Sequence, residues 1–287
     1  MVCGTPGERV GRGCGGLADL APILIEEYDP GVSGPTGDRG QAQGLCAYCA
    51  NASDDLTEDH VIPRAWSGNA EAAAAPKLKV PACRPCNNRF SKVERELGTG
   101  FGLTTWTDDE LMGDLAASAA RSVKPSAARN EKDRQGRLLA MRKLQHTQIL
   151  PWSVVDEHPD SVLMGTVVDR SQQFAIKLSG EALHTMAEKI ARGVWFSETG
   201  SPVKSGYAVS TQPVRGTCPP ELHQLFEQHG TELRIGRSTV IRYAPMPDDP
   251  ATAMFEIRLW ARLTIFAFIV APGHDERVAR SRRGPVL

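Results

Sequence analysis

Residue types able to do chemistry crowd one stretch, 45–98. It holds Cys46-Ala-Tyr-Cys49, then Asp59-His60 within Leu56-Thr-Glu-Asp-His-Val-Ile-Pro63, then Cys83-Arg-Pro-Cys86-Asn87-Asn88. Two C-x2-C pairs supply four thiolates, the number that a structural tetrahedral zinc takes. One such pair could serve as a redox dithiol, but no βαβ pattern surrounds either. The other three cysteines, Cys3, Cys14 and Cys218, have no partner spacing. The pairs are separated by 33 residues, more than a simple zinc ribbon needs, so a folded insert must sit between ends pinned by the metal.

That insert reads as two short extended segments, 55–62 and 77–82, followed by a helix. The helix is expected from Pro85 or Cys86 to Leu97, with Gly98 as a left-handed C-cap. Phe90, Val93 and Leu97 make its apolar side. At about 100° per residue, Asn87 falls along the edge of that side and Asn88 toward solvent. The unit is therefore strand–strand–helix, with Asp59-His60 on the first strand and Asn87 near the helix start. Strict pleat alternation would send Asp59 and His60 to opposite faces, so an irregular strand is expected there, ending before Pro63.

Taken together, CAYC…LTEDHVIPRAW…VPACRPCNNRFSKVE resembles the HNH nucleases of the ββα-metal fold, in their zinc-stapled, four-cysteine subgroup. The resemblance is confined to this stretch. It implies a catalytic Mg²⁺ or Mn²⁺ ligated by Asp59 and Asn87, with Asn88 as the fallback, and His60 as general base. It implies a separate, non-catalytic Zn²⁺ on Cys46, Cys49, Cys83 and Cys86. The implied substrate is DNA, with RNA left open, and the products carry 5′-phosphate and 3′-hydroxyl ends. Arg64, Arg84, Arg89 and Lys92 are expected either to contact phosphate backbone or to form a plain solvated face. Oxygen donors suit a hard divalent ion, as thiolates suit zinc. A neutral imidazole, with an ordinary pKa of about 6.5, can accept a proton at physiological pH. Two positions depart from the family pattern. Leu78 stands where an asparagine is usual, with Asn69 as the candidate substitute, and Phe90 stands where a lysine is frequent, with Lys92 nearby. They motivate a second expectation: a non-catalytic zinc module that binds nucleic acid or a protein partner.

The rest of the 287 residues must position this unit. Lys+Arg total 33 and Asp+Glu 34, a formal charge of −1, so contact with nucleic acid has to come from local patches. One candidate patch is 116–145, with eight basic residues against Glu131 and Asp133; an ordinary solvated linker is the alternative. Residues 1–44 carry 11 of the 27 glycines and read as mostly disordered. Residues 99–150 read as a helical basic linker broken near Pro125, and 273–287 as a basic tail. Between them, 151–272 reads as a small α+β domain of unassigned role. Its strands are expected at 161–169, 173–178, 239–243, 253–261 and 263–270, with a helix capped by Ser179 and Gly193 near its end. No run is long and apolar enough for a membrane span, and no secretory signal pattern opens the chain, so a cytoplasmic protein is expected. The expected fold class is α+β: a zinc-stapled ββα-metal module, a helical linker and a small C-terminal α+β domain.

Overall fold

The computed structural model describes residues 44–66, 78–105, 109–151, 174–214, 220–246 and 249–272. The expected glycine-rich segment, the 161–169 strand, the basic tail and Asn69 lie outside them. Strand β1 (Leu56–His60) pairs antiparallel with β2 (Lys79–Cys83), running from Leu56 opposite Cys83 to His60 opposite Lys79. Pairing continues past His60, where the Val61 N–H donates to the Leu78 carbonyl at 2.9 Å. The irregular strand expected at Asp59 is thus absent: the ladder is in register through the whole motif.

Helix α1 (Arg84–Leu103) starts directly from β2, with Pro85 in the first turn, where its missing N–H costs nothing. It does not stop at Gly98. The expected C-cap is instead an interior residue, and the helix runs five residues further. Packing supplies the reason. A Cβ at Gly98 would lie 2.8 Å from Trp66 Nε1, and one at Gly102 would lie 2.5 Å from Ala119 Cβ. These glycines let neighbours reach the helix backbone, and that close packing outweighs their poor helix propensity.

Helices α2 (Gly113–Val123) and α3 (Glu131–Lys143) follow, parted by a 3₁₀ turn at Pro125–Ala127. Asn130 caps α3, accepting the Asp133 N–H at 2.9 Å. Strand β3 (Ile149–Pro151) pairs with β4 (Phe174–Ile176). Helix α4 (Gly180–Thr199) is capped by Ser179, which accepts the Ala182 N–H at 3.2 Å. It passes through Gly193 and ends at Gly200, whose φ of 70° supplies the left-handed cap.

The remaining elements are β5 (Ala208–Val214), α5 (Pro220–His229), β6 (Thr231–Ile235), β7 (Thr239–Met246), β8 (Asp249–Leu259) and β9 (Leu263–Val270). The five strands form one antiparallel sheet in the order β5-β9-β8-β7-β6. Strands β5 and β6 and helix α5 were not anticipated from sequence. Period-two alternation gives the sheet two covered faces. Ile241, Tyr243, Phe255, Ile257, Ile265 and Ile269 face α4, while Ala244, Met254 and Phe266 face Phe226 of α5. The first of these cores does not end at α4. It runs on through Trp66, Val61, Phe90 and Phe101 to Cys46 and Cys83, so the cysteine-bearing unit and the five-stranded sheet share one interior. No described helix is long and apolar enough to cross a membrane.

Candidate active site

The site is built from the sulfurs outward. The Sγ atoms of Cys46, Cys49, Cys83 and Cys86 all lie within 4.8 Å of one another. Cys49 and Cys83 are separated by 3.8 Å, the edge of a tetrahedron with metal–sulfur bonds of about 2.3 Å. The donor set and its spacing therefore fit one ion of the zinc type. Two local turns make the cluster. After the first pair, Ala50 adopts a left-handed φ of 61° and returns its N–H to the Cys46 carbonyl at 2.9 Å. The second pair spans the junction of β2 and α1, where the Cys83 N–H donates to Cys46 Sγ at 3.3 Å. Burial pushes the Cys46 thiol up, but backbone N–H groups of Cys83, Cys49 and Tyr48 outweigh it and leave it below its ordinary value. Burial raises the Cys86 thiol too, and its bond to Cys83 and the charge on Cys46 add to the rise, so it stands above its ordinary value.

Beside this staple, the pleat of β1 sorts the motif residues. Thr57 and Asp59 share one face. Thr57 Oγ1 accepts from Asn87 Nδ2 at 3.0 Å, which sets Asn87 over that face. Asn87 is partly buried and Asn88 exposed, in accord with the helical-wheel expectation. The structure thus brings Asp59 and Asn87 to the same side of the ribbon. It sends the His60 side chain to the other side with Glu58. Glu58 is tied to Lys79 at 2.5 Å, and that bond holds its carboxyl below the usual range.

Asp59 is buried, and its Oδ2 takes two partners. Tyr48 OH donates to it at 2.6 Å, and the Lys189 ammonium of α4 lies 2.9 Å away. Burial, then the charge and hydrogen bond of Asp59, hold the Tyr48 phenol well above its ordinary pKa, so it remains a donor. Lys189 also donates to the His60 carbonyl at 2.6 Å and to Glu94 of α1. Tyr48, Glu94 and Lys189 were not picked out from sequence. Tyr48 sits between two cysteines, a weak signal, and Lys189 lies far outside the motif.

The four basic residues expected at phosphate are distributed differently. Arg64 is exposed in the 3₁₀ turn Arg64–Trp66, and Lys92 is exposed on α1. Arg84 pairs with Asp55 at 3.1 Å. Arg89 pairs with Glu188 of α4 at 2.7 Å and lies 5.0 Å over the Phe90 ring.

Residues 46–101, which take in the four cysteines, β1, β2 and most of α1, match the model of a family described as HNH endonuclease. The match stops at Phe101, in the last turn of α1, and α2 through β9 lie beyond it. No curated protein and no solved structure matches the chain.

Proposed function

We propose that this chain is a divalent-metal-dependent endonuclease that hydrolyses phosphodiester bonds in DNA, with His60 as general base and Asp59 and Asn87 as ligands of a Mg²⁺ or Mn²⁺ ion. The supporting observation is that two hard oxygen donors stand on one face of a sulfur-clamped ribbon, inside the segment that matches the nuclease family. When bound, such an ion neutralises charge on the phosphate and on the departing 3′ oxygen. Asp59 offers Oδ1, because Oδ2 is already committed to Tyr48 and Lys189. Asn87 offers its amide oxygen, which Ser91 Oγ approaches at 3.5 Å, its nitrogen being held by Thr57. His60, as neutral imidazole, takes the proton of the attacking water.

The pleat sets Asp59 and His60 on opposite faces of β1, and the outer edge of β1 at His60 is taken by Lys189 of α4, which donates to the His60 carbonyl. Among the described residues β2 is the strand partner of β1. The Cys46, Cys49, Cys83 and Cys86 cluster holds a structural Zn²⁺ that keeps the ribbon and the start of α1 in fixed relation.

A second reading is favoured by the bonds from Tyr48 and Lys189 to Asp59 and by Leu78. Here Asp59 is a structural ion-pair partner, and the module binds nucleic acid or a protein without cutting. Supercoiled plasmid decides between them. Wild type should nick it with Mg²⁺ or Mn²⁺. His60→Ala and Asn87→Ala should each keep one zinc per chain and lose activity by about 100-fold or more. Undiminished nicking by His60→Ala removes the mechanism. Wild type that binds DNA yet never cuts it, across Mg²⁺, Mn²⁺, Ni²⁺ and Co²⁺, establishes the second reading.

A further inference from the structure

Lys189 is completely buried, on a helix that lies outside the family match. A lysine ammonium has three N–H donors and no acceptor, and here three acceptors surround it: Asp59 Oδ2, the His60 carbonyl oxygen and Glu94 Oε1. An unpaired ammonium in such a place would be expelled or neutralised, so the position is built for its charge. One turn further along α4, Gly193 repeats the pattern. A Cβ there would lie 2.5 Å from Val61 Cγ2, so the helix backbone runs directly against the residue after His60. Residues 189 and 193 are four apart and share a helix face. That face is fitted to Asp59, His60 and Val61 in order. Arg89 and Arg192 both bind Glu188, which fastens the same stretch of α4 to α1.

We infer that Lys189 is a positioning residue for the nuclease centre, supplied from outside the family module. The inference rests on the metal-dependent reading above. A carboxylate held at one oxygen by an ammonium and a phenol cannot rotate freely. Its other oxygen then points in a fixed direction, which is what a single-point ligand for a hard cation requires. The bond to the His60 carbonyl fixes the backbone on which the imidazole is mounted. The cluster of Asp59, Glu94 and Lys189 carries a net charge of −1 when all three are ionised, so the lysine orients the carboxylate without cancelling its attraction for a cation. Neighbouring groups that orient metal ligands typically contribute 10–100-fold in affinity or activity.

The test uses the full chain with Lys189→Met, which keeps the volume and removes the charge, and Lys189→Gln, which keeps an N–H donor. Mn²⁺ affinity is read by electron paramagnetic resonance, and kcat and KM on a duplex substrate are read separately. Zinc content and thermal unfolding report the fold. Lys189→Met should keep its zinc, bind Mn²⁺ about 10-fold or more weakly and lose kcat by a similar factor, with KM for DNA little changed. Lys189→Gln should recover part of both losses. Folded variants with wild-type Mn²⁺ affinity and kcat overturn the inference. So does loss of fold in both, which would make the lysine purely structural. If His60→Ala is fully active as well, it is the nuclease reading that has failed; if only the Lys189 variants are wild type, the failure is confined to Lys189.

Discussion

Asp109 is held by the Arg262 guanidinium and by the N–H groups of Leu111 and Met112 at 3.0 and 2.9 Å. Burial pushes its carboxyl up, but the bond from Arg262 and the two N–H bonds outweigh this and leave it below its ordinary value. The sign of the pH effect follows. A carboxyl whose folded pKa is depressed contributes stability that is fully present above its unfolded pKa of about 3.9 and is lost as pH falls through the folded value. Asp109→Asn should therefore cost about 2 kcal/mol at pH 7, measured by urea unfolding. The gap to wild type should close as the pH drops below about 4. A pH-independent gap would mean that packing, not charge, is what the variant loses. At this scale the sequence was informative where a constraint is local. The cysteine spacing and the placing of Asn87 over Asn88 depend on a few consecutive residues and one helical turn. The partners of Asp59 depend on Lys189, 130 positions away along the chain, and no local pattern encodes that meeting.

Elements were legible when one periodicity described them and illegible when two faces competed. Helix α4 shows an apolar stripe from Leu183 to Val194, which predicts packing against the sheet. Lys189 and Gly193, spaced by four, form a second stripe that meets the cysteine-bearing unit, so the helix is buried on two faces. In α1, glycine at 98 reads as a stop signal by propensity, but tertiary packing uses it as a contact surface. Helix α3 is the opposite case. None of its residues is buried, and Leu139 is 64% exposed. Its stability rests on the Asn130 cap and on the Glu131–Arg134 and Asp133–Arg137 ion pairs. A helix with no buried face, and with Lys132 and Arg142 exposed, suits the phosphate backbone of the proposed substrate. Replacing both by alanine should reduce the slope of log affinity for DNA against log salt by about 2, roughly one unit per phosphate contact. It should leave kcat alone. An unchanged slope assigns α3 to solvent.

At the scale of the molecule, the turn between β8 and β9 joins the two halves. Trp260 takes a left-handed φ of 54°, a conformation that costs a non-glycine residue about 1–2 kcal/mol and persists only where its surroundings impose it. The surroundings here are aromatic. The Trp260 ring lies 5.1 Å from Trp66 and 4.7 Å from Phe101, and its Nε1 donates to the Trp66 carbonyl at 3.4 Å. Trp66 in turn follows β1 by a few residues and donates its Nε1–H to the Glu94 carbonyl at 3.3 Å. The hairpin tip of the large sheet is thus seated in the base of the ribbon–helix unit, next to the helix that carries Glu94. A shared core of this kind predicts shared unfolding. Trp260→Ala should cost about 3–5 kcal/mol, lowering the melting temperature by on the order of 10 °C for a chain of this size. Zinc release, followed with a chromogenic chelator, and loss of sheet signal, followed by far-ultraviolet circular dichroism, should shift together. If the sheet melts earlier while the zinc stays bound, the ribbon–helix unit stands on its own packing and the contact at Trp260 is an interface between separable parts.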